Sequence, residues 1–168
     1  MARAFLSLGS NLGDRLSNIQ QAVALFGMSD KVKIVKTSSF YETQPWGNSN
    51  QPWFLNAAMA VDTNLSPMEL LNFCQSVEFQ LGRKRDGKKW CPRTIDIDIL
   101  TYDDKIISEG EKLVIPHPFM HLRAFVLVPM LEVKQDLVHP VFNKTISDLY
   151  DELDNPEDVF LYGTVIPK

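Results

Sequence analysis

Two kinds of periodicity alternate along the chain, and their order limits the folds open to it. Residues 3–8 read as a strand; the turn Gly9-Ser10-Asn11-Leu12-Gly13 and a capping Asp14 follow. Leu16, Ile19, Val23 and Phe26 then recur at helical spacing up to Gly27. Residues 32–41 are rich in β-branched and aromatic side chains, hence a strand. Residues 53–62 alternate, with Leu55, Ala57, Met59 and Val61 on one side and Phe54, Asn56, Ala58 and Ala60 on the other. Ser66-Pro67-Met68-Glu69 announces a second helix, because Ser can cap, Pro suits the first helical position and Glu can return a bond to the cap. Its buried stripe is Leu70, Cys74, Val77 and Leu81, and Gly82 ends it. Residues 94–100 alternate again. The order β-α-β-β-α-β predicts an α+β domain, a split-βαβ sheet layered by helices. A C-terminal extension follows: a short strand over 112–115, a helix from 119 that stops at Pro129, and a last helix capped by Thr145.

The chain's 168 residues suit a single domain over 1–168, and neither a repeat nor a Pro/Gly/Ser-rich linker divides it. Its two cysteines, Cys74 and Cys91, are not in CxxC spacing, which points to a reducing, cytoplasmic setting. No apolar run approaches the roughly 18–20 residues of a membrane span, and the N-terminus lacks a signal-peptide pattern. A monomer is expected. Net charge is −4, yet residues 83–93 hold six basic residues against Asp86 alone. A nucleic-acid binder would spread positive charge over a face. One dense basic segment in an acidic chain suits a small, highly charged anion instead, with no nucleic-acid or membrane partner.

Asp96 and Asp98 share one face of a strand whose other face carries Ile95, Ile97 and Ile99. Asp is disfavoured in strands, and two like charges repel. Either this is a solvated strand face, or a cation sits beside the acids, as Mg²⁺ does with carboxylates, waters and phosphates. Arg83, Arg85 and Arg93 lie close in sequence, and guanidiniums grip phosphate oxygens in fork geometry. Acid pair and arginines together suggest phosphoryl transfer. The Gly9–Asp14 turn fits neither GxGxxG nor GxxxxGK[ST], so it reads as a tight turn before a capped helix rather than a phosphate loop. Phe54 and Asn56 offer an aromatic plane and an amide suited to a heterocycle edge, although such residues also serve plain packing. His117, His121 and His139 are too scattered for a zinc site; His117, in Ile115-Pro116-His117-Pro118, could donate to a phosphate or bond the backbone.

Taken in order, these pieces resemble the 6-hydroxymethyl-7,8-dihydropterin pyrophosphokinases of folate biosynthesis. The marks are Gly9-Ser10-Asn11-Leu12-Gly13-Asp14, Ser39-Phe40-Tyr41-Glu42-Thr43, Phe54-Leu55-Asn56, Leu81-Gly82-Arg83, the run from Trp90 through Pro92-Arg93-Thr94-Ile95-Asp96-Ile97-Asp98 to Leu100, and Ile115-Pro116-His117-Pro118 with Arg123-Ala124-Phe125. The resemblance implies a ferredoxin-like fold and transfer of diphosphate from ATP to the pterin hydroxymethyl group, with AMP released. By similarity, Asp96 and Asp98 bind two Mg²⁺ ions, and Arg83, Arg85 and Arg93 contact the phosphates, with Trp90 in the loop over them. Asn56 reads the pterin edge and the ring lies between Phe54 and Phe125, while Thr43, Pro45 and Trp46 complete that pocket. Leu71, Gln75, Glu78, Ile99, Lys112, His117 and Arg123 match positions on the ATP side. Cys91 stands where the family has glycine and Lys89 where it has arginine, which bears on loop closure rather than on the acid pair.

Two other readings compete. A nucleotidyl- or glycosyltransferase would use the same acid pair, but not a heterocycle pocket at Asn56 and Phe54. An RNA reader on a split-βαβ sheet would need a basic, aromatic strand pattern that these strands lack.

Overall fold

The computed structural model describes residues 1–44, 50, 52–82 and 94–162. The chain runs β1 (Ala2–Ser10), α1 (Arg15–Met28), β2 (Val32–Thr37), β3 (Tyr41–Thr43), β4 (Phe54–Thr63), α2 (Pro67–Gln80) and β5 (Asp96–Tyr102). Then come β6 (Ile107–Glu109), β7 (Leu113–Ile115), a 3₁₀ turn over Met120–Leu122, α3 (Ala124–Lys134), α4 (Ile146–Asp151) and β8 (Val159–Leu161). β5, β1, β4, β3 and β8 lie side by side, with β2 also paired to β4. β1 is antiparallel to both β4 and β5, and β4 is antiparallel to β2 and β3. β1 and β2 are therefore parallel, as are β4 and β5. Two interleaved split-βαβ units result, the ferredoxin-like arrangement that the family resemblance implied.

Local chemistry sets the helix starts. The Asp14 carboxylate accepts from the Ser17 amide, and Ser66 and Glu69 form a complete capping box with Pro67 at the first turn. The Gly9–Asp14 turn is tied internally: Asn18 Nδ2 donates to Ser10 Oγ and to the Leu12 carbonyl. It is a capped turn, as the sequence suggests.

Both faces of the sheet are covered. On the α1/α2 side, Leu6, Leu8, Leu55, Met59, Ile95, Ile97 and Ile99 pack with Ile19, Phe26, Leu70 and Val77. On the other side, Phe5, Ala58, Ala60 and Leu100 meet Met120, Val126, Leu127, Met130 and Ile146. Small residues at 58 and 60 leave room for α3, which is apolar around much of its circumference because it is sandwiched. The alternation read from 53–62 and 94–100 thus sorts side chains to the two cores as expected.

Four elements differ from the sequence reading. Residues 32–41 form two strands, not one. At the break, Ser38 Oγ accepts from the Ala58 amide and the Ser38 amide donates to the Ala58 carbonyl. The third helix begins at Ala124, after the 3₁₀ turn, rather than at 119, and it does not stop at Pro129 but continues to Lys134, with Pro129 itself buried. Burial of that ring outweighs the one intrahelical bond its missing N–H forfeits. β6 and β8 carry no strand signal in the sequence; three-residue edge strands depend on their partners rather than on their own composition. Among the described residues, no helix is long and apolar enough to cross a membrane.

Candidate active site

Sheet register assembles the site. Residues directly opposed across antiparallel strands share a face. Asp96 opposes Gly9, Gly9 opposes Asn56, and Asn56 opposes Tyr41. One strand pitch further in, Asp98 opposes Ser7, which opposes Ala58. Both acids and the Asn56 amide therefore stand on the α3 side of the sheet, two strands or about 10 Å apart.

Gly9 lets the Asn56 amide and the Phe54 ring lie close against β1, the strand between them and the acids. A methyl group there would lie 3.0 Å from Asn56 Oδ1 and 3.6 Å from the Phe54 ring. Close approach, not unusual backbone geometry, is what requires glycine here. This row across the α3-side face, with carboxylates at one end and an amide and an aromatic ring at the other, is the candidate substrate trough.

The amide end is tightly held. Asn56 is buried, and its Nδ2 donates to Thr43 Oγ1 at 2.7 Å. That bond anchors one end of the amide and leaves the other end, Oδ1, over Gly9. Phe54 is two residues earlier on the same face, and Phe125 sits at the start of α3, which covers that face. Tyr41, next in the row, donates from its hydroxyl to Glu132 on α3 at 2.8 Å, and Glu132 also accepts from the Ser39 amide and hydroxyl. Burial and this carboxylate push the Tyr41 hydroxyl up to about 12.

The acid end is more open. Asp96 and Asp98 are half-buried, with 42% of the Asp98 side chain exposed. His117 Nε2 is 4.0 Å from Asp98 Oδ2. His117 Nδ1 accepts from the Phe119 amide, so in the neutral ring the proton is on Nε2, toward the acid. Burial holds His117 down to about 4, with Arg123 acting the same way and Asp96 opposing, so it is neutral near pH 7. The Arg123 guanidinium lies over the Phe119 and Phe125 rings at 5.3 and 5.5 Å. Burial lowers its pKa, and Asp98, Asp96 and Glu157 counter that shift.

On the opposite flank, Leu71, Gln75 and Glu78 follow one another on a single face of α2, beside β5. Glu78 is buried, and its Oε2 accepts from the Ile97 amide at 2.8 Å. That carboxylate grips the strand between the two acids. Ile97's N–H is thus turned away from β1, and strand alternation puts the Ile99 N–H on the same outer edge. The Ile99 side chain is in the α1/α2 core, so its contribution to a site at this edge is main-chain. Lys112 is exposed in the turn between β6 and β7.

The structure brings together Asp96, Asp98, His117 and Arg123 at one end of the trough and Thr43, Phe54 and Asn56 at the other. Pro45, Trp46, Arg83, Arg85, Trp90 and Arg93, with the loop departures at Lys89 and Cys91, fall outside the described residues. Sequence reasoning missed Gly9 as a floor residue, although its even spacing from Ser7 along β1 held the signal. It also missed Glu132 and Glu157, whose partners lie on other elements and leave no local trace.

A family model described as 7,8-dihydro-6-hydroxymethylpterin-pyrophosphokinase matches residues 5–135. The chain is 46% identical over 154 residues to a 2-amino-4-hydroxy-6-hydroxymethyldihydropteridine pyrophosphokinase of Methylorubrum extorquens, covering 92% of this chain and 95% of the relative. It is 41% identical over 152 residues to the protein of that name from Aquifex aeolicus, covering 90% and 92%. Among solved structures, Plasmodium falciparum HPPK-DHPS wild type with pteroate superposes with a TM-score of 0.70 at 18% identity, over 89% of this chain and 44% of that longer one. An HPPK-DHPS in complex with substrates gives 0.69 at 16%, over 89% and 43%. These two likenesses speak to the fold, and this chain spans less than half of either protein. The matched residues 5–135 take in β1 through α3, every element that lines the trough, and the chain belongs to the 7,8-dihydro-6-hydroxymethylpterin-pyrophosphokinase family.

Proposed function

We propose that the chain performs its family's reaction along this trough, with phosphates at the acid end and the pterin at the amide end. The reaction is transfer of diphosphate from ATP to the hydroxymethyl oxygen of 6-hydroxymethyl-7,8-dihydropterin, giving AMP and the pterin diphosphate in folate biosynthesis. The observation that supports this layout best is the row Asp96, Gly9, Asn56, which joins an acid pair to an oriented amide across a bare floor.

Two carboxylates on one half-exposed face are hard oxygen donors, the type Mg²⁺ takes while keeping waters and phosphate oxygens in its remaining positions. Asp96 and Asp98 are thus the residues to hold two Mg²⁺ ions. Bound magnesium would neutralise phosphate charge and polarise the transferred group. Everything else falls to the chain's own side chains. Asn56 presents a fixed donor and acceptor to the heterocycle edge, Phe54 and Phe125 supply ring faces, and Thr43, Pro45 and Trp46 complete the pocket. Neutral His117 offers its Nε2–H to a phosphate oxygen without adding charge. Arg83, Arg85, Arg93 and Arg123 bring positive charge to the polyphosphate, where positioning and electrostatics carry the catalysis. Leu71, Gln75, Trp90, Ile99 and Lys112 border the nucleotide, and Glu78 acts through its grip on β5. The same reading makes the chain a cytoplasmic monomer that works as one domain.

Incubation with ATP, Mg²⁺ and 6-hydroxymethyl-7,8-dihydropterin should yield AMP and pterin diphosphate in equal amounts, and chelation should stop it. ADP as the nucleotide product, or undiminished turnover in excess chelator, would overturn the reading.

A further inference from the structure

The C-terminal arm lies beyond the residues matched by the family model, yet it touches three parts of the pterin side. β8 pairs with β3, setting Val159 opposite Thr43, the residue that orients Asn56. Phe160 stacks on Trp53, next to Phe54, with ring centroids 6.0 Å apart and planes 23° from parallel. Glu157 Oε1 accepts from the Phe125 amide at 2.9 Å.

This last contact has a specific physical cause. The first N–H groups of a helix have no partner within it, and an N-cap side chain normally takes one of them. At α3 the N-cap residue is Arg123, a donor, and it makes no capping bond. Pro129 has no N–H to return to the Phe125 carbonyl, so the ladder holds Phe125 less firmly than an ordinary helical residue. Glu157, 32 residues away in sequence, provides the missing acceptor, and its charge suits the positive end of the helix.

We propose that the arm over residues 157–162 is a positioning element for dihydropterin, in which Glu157 caps α3 from a distance and so fixes the Phe125 ring. The proposal rests on the pterin reading above. Glu157 touches no reacting atom. Its charge also reaches Arg123, an effect that removal by either Ala or Gln shares. The loss that Ala shows beyond Gln should therefore fall on pterin affinity rather than on the chemical step.

The test is steady-state kinetics of the full chain with Glu157→Ala and Glu157→Gln, together with hydrogen exchange at the Phe125 amide. In Glu157→Ala, the KM for dihydropterin should rise about tenfold, with kcat and the KM for ATP within about twofold of those of Glu157→Gln, which lacks the same charge beside Arg123, and the Phe125 amide should exchange faster. Glu157→Gln keeps an acceptor oxygen without the charge, so it should restore most of the affinity and the protection. An unchanged dihydropterin KM in Glu157→Ala would overturn the proposal, as would a parallel loss in kcat and both KM values. Failure of Glu157→Gln to rescue would overturn capping as the cause. A native chain that forms no AMP from ATP and dihydropterin would defeat the pterin reading and this proposal with it. A native chain that forms AMP beside an unaltered Glu157→Ala defeats this proposal alone.

Discussion

The two ends of the trough are built on opposite principles. At the amide end, Asn56 and Thr43 are buried and bonded to each other, and the strand beneath them is clamped to α3 through Tyr41 and Glu132. At the acid end, Asp96 and Asp98 are half-buried on β5, which is the last strand of its sheet. A heterocycle has a fixed shape and a fixed hydrogen-bonding edge, and it rewards a rigid, preformed partner. A triphosphate with its cations is flexible and highly charged; it needs matched charge and access more than shape. Preformed recognition at one end and electrostatic capture at the other suit the two substrates in the proposed layout.

The largest effect should come from the open end. Asp98→Ala should reduce turnover on the order of a thousandfold, since metal-assisted charge stabilisation is worth several kcal/mol. The fold should survive, because the side chain is 42% exposed and faces the trough rather than either core. Near-native turnover, measured as AMP release, would overturn the proposed metal role of this acid. An unfolded variant would make the acid structural and erase the contrast between the two ends.

Gly9 joins the two ends and gives the next effect. Gly9→Val adds a branched side chain where even one carbon would stand 3.0 Å from Asn56 Oδ1. The KM for dihydropterin should rise by one to two orders of magnitude, because the displaced amide no longer matches the heterocycle edge. Direct titration of Mg-ATP should show nucleotide affinity within a few-fold of native. If nucleotide binding falls as steeply as pterin binding, the trough is a single pocket, not two differently built halves.

Much of this was legible in the chain because it is encoded locally. Ser66, Pro67 and Glu69 spell a helix start wherever they stand, and Asp14 does nearly the same. Strand alternation alone put Asp96 and Asp98 on one face and the isoleucines on the other. What could not be read was long-range. Gly9 looks like an ordinary turn residue until register sets it between Asp96 and Asn56. The bulge in β2 lies opposite Ala60 and Val61, and the break at Ser38 depends on Ala58, some twenty residues on. Pro129 signals a helix end by its chemistry, and only burial on both sides of α3 overrides that signal. Glu157 could not be linked to Phe125 from sequence, since the bond replaces a cap that Arg123 fails to provide.

Tyr41 gives the smallest effect and tests whether the amide end is rigid because the scaffold makes it so. Its hydroxyl bonds Glu132, and its pKa is pushed from the usual 10 up to about 12, first by burial and then by that carboxylate. The folded state therefore keeps the proton over a range in which the unfolded chain releases it. Stability from this group is fully present below about pH 10 and declines as pH rises from there toward 12. Tyr41→Phe removes both the hydrogen bond and that alkaline slope. At neutral pH it should cost about 1.5–3 kcal/mol, the value of a bond to a charged acceptor, with the dihydropterin KM raised less than about threefold. Native and variant stabilities should then converge as pH approaches 12, in denaturant titrations repeated across that range. A gap that stays constant with pH would mean that the hydroxyl is not what ties β3 to α3, leaving Ser39 and Glu132 to hold the strand.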